Sequence, residues 1–453
     1  MKNAFPRKKL VSIVLALVFV LGYADLVHVH GEYGISDGIF FVEDLFEYDG
    51  FDALMLDVAV ASGVSVERMH NQARSLEIAN FVIDDLLFDD RFRPIFPDYI
   101  GGLHLDDDGN LVIAVVGSEA LHRSNSKTLR LSELDGVSLR NVEFSHTEIF
   151  ATRDLLSEIT QSKLDRGIQL NFNAVFPCII ENRVIVWLYE YNNEQIEIFR
   201  RTILDSPLIL FTQSDGVFSE PSPQIENREF EIWDGDYSIF SDPCIDIYSR
   251  YTQPRAGHII NPGRMINVAG YGFSAGFRVR CVTFPHERFG FVTTLHNSGI
   301  PNNTLVRLFD TGQLIGVVHS QLFGGRVDAA FIRVMSYAVR TGNDLPDGWQ
   351  LLTAVRDPIP NTDVFSVGAI TGMRRNRVLA IDGFTIDRGV RIDGLIRQTI
   401  PHGQAPEVGD SGGAIWNQDR TTVGIHVGYQ PGLRYIVATR AVLVQQYLRV
   451  LRY

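Results

Sequence analysis

The stretch Gly409-Asp410-Ser411-Gly412-Gly413, set in an apolar, strand-like context and followed by Ala414-Ile415-Trp416, constrains this chain most. Glycines on both sides of an Asp-Ser pair suit a sharp turn, because glycine tolerates positive φ and lets another backbone approach closely. Such a turn can hold a hydroxyl outward while aiming backbone N–H groups at an oxygen that becomes negative. In that reading Ser411 is a nucleophile, and the N–H groups of Gly409 and Ser411 form an oxyanion hole. The plainer alternative is a Gly/Asp/Ser loop joining two strands.

A serine hydroxyl needs a base near neutral pH, and the base needs a third group to hold its tautomer. Phe291-Val292-Thr293-Thr294-Leu295-His296-Asn297 is an apolar strand with a histidine at its end. Gly324-Gly325-Arg326-Val327-Asp328-Ala329-Ala330-Phe331-Ile332-Arg333-Val334 places an aspartate at the start of another. Taken singly, a histidine is more often a surface or satisfied core residue, and an aspartate at a strand start is a turn residue. Together they stand in the order His296, Asp328, Ser411, separated by 32 and 83 residues. These motifs resemble the Thr-Ala-x-His, Asp-x-Ala-x-x-x-Val and Gly-Asp-Ser-Gly-Gly signatures of the chymotrypsin-type (trypsin-like) serine peptidases. The resemblance implies a His296–Asp328–Ser411 triad in the cleft between two six-stranded antiparallel β-barrels.

With 453 residues the chain is long enough for two large cores, and its hydrophobic content of 45% argues against general disorder. Lys2, Arg7, Lys8 and Lys9 precede an apolar run from Leu10 to Leu21, closed by Gly22-Tyr23-Ala24. That is the form of a secretory signal peptide over residues 1–24, with an uncleaved anchor as the rival. The expected location is extracellular, with no stable membrane association once the signal is cut. Residues 53–90 and 147–164 read as helical, residues 99–116 as a hairpin turning at Asp106-Asp107-Asp108-Gly109, and residues 183–189 as a strand. The three aspartates read as a bare turn rather than a Ca²⁺ loop, the following ligand pattern being missing.

This α+β order, with the Gly102 to Val115 pattern, resembles the pro-region of the streptogrisin and α-lytic peptidase group. The resemblance implies a folding assistant and inhibitor over residues 32–231, and a peptidase domain over residues 232–453 that starts between Ile232 and Ile260. Phe218 to Asp236 has the polar, Pro-containing composition of an exposed junction. Residues 439–450 read as a C-terminal helix.

Residues 250–453 hold 22 arginines, no lysine and 13 acidic residues, about +9, whereas residues 10–249 carry about −26. Opposite fields predict electrostatic docking of the two halves, the alternative being that each surface merely solubilises. The arginines are scattered and no recognition motif accompanies them, so nucleic acid is not an expected partner. The expected partners are protein or peptide substrates and the chain's own pro-region. No cofactor is implied, and no Cys or His pair has zinc-ligand spacing.

The odd count of Cys178, Cys244 and Cys281 cannot pair completely within the chain. The family bridge beside the catalytic histidine has no counterpart, since Phe273 and Asn297 stand at its positions, and Glu407 stands near the second bridge. For substrate, the resemblance places Val423-Gly424-Ile425-His426-Val427-Gly428-Tyr429 along the primary specificity pocket, making His426, Val427 and Gly428 substrate-binding. Glutamyl endopeptidases of the superfamily carry a histidine where His426 stands, and an imidazole there would bind a carboxylate. Residues 250–453 contain two glutamates against eighteen in residues 10–249, which suits an enzyme that spares itself and trims its own pro-region at Glu226, Glu229 or Glu231. Pro406 and Val427 depart from that pocket, leaving a small or medium apolar preference open. The resemblance also implies an internal arginine, Arg374 or Arg375, as partner to a buried Asp410. Asn302-Asn303-Thr304 is a glycosylation sequon in a eukaryotic host and otherwise a turn. A catalytically silent binding protein on the same scaffold is the rival from a different class.

Overall fold

In the computed structural model, residues 64–84, 86–117, 134–214, 258–281, 288–296, 299–335, 339–399, 405–430 and 435–453 are described. The expected signal peptide, the junction at 218–236, the boundary at 231–232 and Cys244 lie outside them. Among the described residues no helix is long and apolar enough to cross a membrane.

The N-terminal half begins with helix α1 (Val66–Asp84), which lays Met69, Leu76, Ala79 and Val82 into a core at helical spacing. Strands β1 (Ile100–Leu105) and β2 (Leu111–Val116) form the expected hairpin, and β3 (Val137–Val142) adds to it in parallel. The hairpin turn is held by Asp106, whose Oδ1 accepts the amides of Asp108 and Asn110. Helix α2 (His146–Leu164) starts at a capping box in which Ser145 and Glu148 satisfy each other's amides. Strand β4 (Phe172–Cys178), strand β5 (Arg183–Leu188), helix α3 (Asn193–Thr202) and strand β6 (Ile209–Gln213) complete this half.

Then the periodicity turns to two. A first sheet draws on β8 (Met265–Val268), β9 (Tyr271–Ser274), β10 (Arg278–Cys281), β11 (Arg288–Thr293), β12 (Leu305–Leu308), β13 (Leu314–Gly324) and β14 (Val327–Val334), while β7 (His258–Ile260) pairs separately with β15 (Val339–Thr341). The second sheet draws on β16 (Asp363–Gly368), β17 (Gly372–Asp387), β18 (Val390–Thr399), β19 (Ala414–Asn417), β20 (Thr422–Gln430) and β21 (Tyr435–Arg440). Helix α4 (Ala441–Leu448) and strand β22 (Val450–Arg452) close the chain.

The order β16-β19-β20-β21-β18-β17, with β16 also bonded to β17, is a closed six-stranded antiparallel barrel. Ile396, Ile415, Val423 and Ala438 fill it. The first sheet runs β22-β10-β11-β14-β13-β12-β8-β9 around Ile266, Val268, Phe291 and Ile332. A third cluster joins the two, with Phe277 just before β10, Val292 and Phe331 from the first sheet, Phe365 and Trp416 from the second, and Val444 and Leu448 from α4. The expected double barrel behind an α+β region is therefore present.

Two details differ from the expectation of two six-stranded barrels. The first sheet has eight strands, seven from β8 to β14 and an eighth, β22, because the chain past Arg449 extends and pairs with β10 instead of ending as helix. Arg449 breaks the helix by taking φ +53°, and the cap at Arg440 has no side-chain bond. The second sheet has nine strands, because β4 pairs with the far half of β17, Val175 opposite Phe384 and Ala174 opposite Thr385, and brings β5 and β6 with it.

Candidate active site

Strand β11 carries His296 three residues beyond its end, and β14 carries Asp328 as its second residue. Phe291, Val292 and Thr293 pair with Ile332, Phe331 and Ala330, so the two strand ends come together. His296 Nδ1 lies 2.5 Å from Asp328 Oδ2, and the His296 amide donates to Asp328 Oδ1 at 3.4 Å. Facing a carboxylate, Nδ1 is the protonated nitrogen, which leaves Nε2 as an acceptor. Both residues are buried, and His296 holds φ at +45°, a region a non-glycine residue enters only under outside constraint.

Ser411 sits on the turn before β19. Gly409 and Gly412 take φ of +106° and +93°, and a Cβ on Gly412 would lie 2.1 Å from Thr293 Oγ1 and 2.4 Å from Ser274 O. A Cβ on Gly413 would lie 2.0 Å from Val367 O. Glycine is thus required at both positions by space, and at Gly412 by conformation as well. Asp410, Gly412 and Gly413 donate their amides to Glu407 O, His426 O and Asp410 O. Those bonds leave over, within the turn, the amides of Gly409 and Ser411.

Asp410 is fully buried. It accepts from the amides of Ile370, Thr371 and Glu407, from Thr371 Oγ1, and from Arg374 Nη1 at 2.6 Å. Burial pushes its carboxyl up, but Arg374 and these donors outweigh burial and hold it below the usual carboxylate range. Of the two arginines expected here Arg374 is the partner, whereas Arg375 pairs with Asp363 at 2.9 Å. Successive residues of a strand face opposite ways, so β17 could offer only one of them to Asp410.

The structure brings His296 and Asp328 into direct contact, but Ser411 Oγ donates to the carbonyl of Val427 at 3.2 Å. His296 Nε2 instead has Thr294 Oγ1 at 3.4 Å, and that hydroxyl also reaches His426 O at 3.4 Å. His426 lies beside the turn, its amide bonded to Gly413 O at 2.9 Å. Its side chain is buried with Nδ1 unpartnered, and burial, reinforced by Arg374, lowers its pKa to about 3. The ring is therefore neutral throughout the physiological range. Val427 is buried in a cluster with Trp187 and Phe176 of the N-terminal half. Phe273 packs in the first barrel with its ring centroid 6.3 Å from that of His296.

Three residues escaped the sequence reading: Thr294, Thr371 and Ser274. Thr294 stands in the slot where the resemblance has alanine, which was the available signal. Thr371 and Ser274 carried none, since their roles depend on which strand ends meet.

A Pro-like C-terminal domain model matches residues 147–214. No curated protein matches the sequence. Among solved structures, Thermobifida fusca Protease A is 22% identical, with 43% of this chain and 98% of that chain covered and a TM-score of 0.36. Nocardiopsis protease is 20% identical, covering 43% and 100%, with a TM-score of 0.36. A glutamic-acid-specific serine protease described as using a histidine triad in substrate binding is 21% identical, covering 43% and 100%, with a TM-score of 0.37.

Proposed function

We propose that this chain is a secreted serine endopeptidase, made as a zymogen with residues 32–231 as its pro-region and residues 232–453 as its peptidase domain. The observation that carries the reading is the 2.5 Å contact between His296 Nδ1 and Asp328 Oδ2, beside a Gly409–Gly413 turn pinned by Arg374 on Asp410. In acylation Ser411 Oγ attacks the substrate carbonyl carbon while His296 Nε2 takes its proton. The N–H groups of Gly409 and Ser411 receive the oxyanion. The C–N bond then breaks, with the amine leaving on the proton from Nε2. Water repeats the sequence on the acyl-enzyme and frees Ser411. Asp328 holds the imidazole tautomer and stabilises its cation. For this step Ser411 Oγ must leave Val427 O and turn to His296 Nε2, a change of rotamer about χ1.

The pro-region role is supported by β4 pairing with β17 and by the packing of Trp187 and Phe176 against the cluster that contains Val427. Val427 belongs to the proposed substrate-binding segment His426-Val427-Gly428 on β20. A preference for cleavage after glutamate rests on the unpartnered Nδ1 of His426 and on the scarcity of glutamate in residues 250–453. The second reading, a silent binding protein, is favoured by the Ser411 Oγ bond to Val427 O.

Secreted wild type and Ser411→Ala are compared by intact mass, N-terminal sequencing and fluorophosphonate labelling. Loss of the pro-region in wild type alone, with a new N-terminus after a glutamate, supports self-processing and acidic preference together. Equal trimming of both assigns activation to another protease. No trimming and no label on Ser411 moves the binding-protein reading ahead.

A further inference from the structure

Ser274 ends β9 fully buried, at the seam between the first barrel and the nucleophile turn. Its amide donates to Ser411 O at 2.7 Å and its hydroxyl donates to Gly409 O at 2.8 Å. The same hydroxyl accepts the Ala369 amide at 2.8 Å, and the Ser274 carbonyl accepts from Thr293 Oγ1 at 2.8 Å. One residue thus holds the turn carbonyls on both sides of the Asp410–Ser411 peptide, the unit whose N–H is one of the two oxyanion donors. The Gly409 carbonyl belongs to the residue that supplies the other.

We propose that Ser274 is a positioning residue for the oxyanion hole, its hydroxyl aiming the Gly409 and Ser411 N–H groups by clamping the turn to the first barrel. The proposal rests on the serine-peptidase reading above. Its physical basis is that hole donors stabilise charge only if they are oriented before reaction. A buried carbonyl that loses its donor turns to find another, and turning the Gly409 carbonyl rotates the Gly409–Asp410 peptide, the link between the two residues whose N–H groups form the hole. Gly409 and Gly412 have the conformational freedom to permit that rotation. Three hydrogen bonds through Ser274 tie the histidine-bearing barrel to the serine-bearing one, and the fourth, from Thr293, anchors Ser274 within its own barrel.

The test uses the secreted, processed protein, with active sites titrated by fluorophosphonate and turnover followed on a chromogenic peptide substrate. In Ser274→Ala, kcat per titrated site falls about tenfold to a hundredfold while KM stays within about twofold, since the lost term acts on the transition state. The Ki of a peptide boronate, which becomes tetrahedral on Ser411, rises by the same factor as kcat/KM falls, while binding of the product peptide is unchanged. Ser274→Thr keeps the hydroxyl and restores most of kcat. If Ser274→Ala does not fold, Ser274→Cys takes its place, keeping the shape with a weaker donor. A lowered melting temperature with wild-type kcat and boronate Ki overturns the assignment and leaves Ser274 a packing residue. Silence of wild type toward both label and substrate sinks the peptidase reading itself, and the positioning role with it.

Discussion

At the scale of single residues, Asp328 is held from several sides. Its Oδ2 faces His296 Nδ1, its Oδ1 accepts the His296 amide, and its own amide and carbonyl both contact Thr439 Oγ1. Asp328→Asn keeps that shape but can present an N–H to the ring, which favours the tautomer with Nε2 protonated and unable to accept from Ser411. A loss of kcat of about 10⁴-fold is expected, the size this substitution brings where such an aspartate orients a catalytic histidine. Site titration with a circular-dichroism spectrum checks it, and a variant that is folded yet still turns over near the wild-type rate would refute the triad. This residue scale was the most legible in the sequence. The His296–Asp328 contact and the glycine turn around Ser411 are each announced by an apolar strand or by glycines alongside. Which of Arg374 and Arg375 meets Asp410 was not legible, because that depends on the register Ser366 opposite Arg374 between β16 and β17.

Among the elements, β17 explains the difference between a six-stranded barrel and the nine-stranded sheet observed. It runs 16 residues, longer than the barrel needs, and its distal half would leave an unpaired edge. Strand β4 covers that edge, and Gly383 makes room for it, since a Cβ there would fall 2.0 Å from Phe176 Cδ1. Gly383→Ala is therefore expected to push the N-terminal strands off the barrel, at a cost of about 1–3 kcal/mol. Hydrogen exchange on the full-length Ser411→Ala protein should speed up in β4 and in residues 383–387 of β17, and stay slow in β19 and β20. Uniform protection would mean that the two halves are not joined here. The sequence showed each strand as an apolar segment but not this pairing, because Phe384 and Val175 are separated by most of the barrel in the chain, and nothing local marks them as partners.

Over the whole molecule, the charge contrast visible in the sequence predicts docking of an acidic half on a basic half, yet the buried pairs run in the opposite sense. Arg68, Arg93 and Arg153 of the acidic half meet Asp363, Asp382 and Asp393 of the basic half, all buried or nearly so. Pairs in the expected sense, such as Arg326 with Asp90 and Arg356 with Asp84, are exposed. Exposed pairs contribute little, while a buried charge stripped of its partner costs several kcal/mol, so the minority charges of each half fix the docked geometry. Composition reports the solvated majority and is blind to these few.

The same halves carry an acid weakness. His146 begins α2, its ring stacked 4.3 Å from Phe150 and tilted 4.7 Å from Phe96, and burial lowers its pKa to about 3, with Arg93 adding to the effect. Above pH 6.5 the ring is neutral folded or unfolded, and titration contributes nothing. As pH falls below 6.5 the unfolded chain gains a proton that the folded chain refuses until about pH 3, so stability drops throughout that window. From pH 7 to pH 5 this one residue removes about 2 kcal/mol. His104 and His426, lowered to about 4 and about 3, act in the same direction. In the Ser411→Ala background, which cannot digest itself if the peptidase reading holds, His146→Phe preserves the stack and removes the proton. Urea unfolding at pH 7 and pH 5 should then show about 2 kcal/mol less acid loss than the parent, and an unchanged difference between the two pH values would show that His146 is not held neutral by its burial.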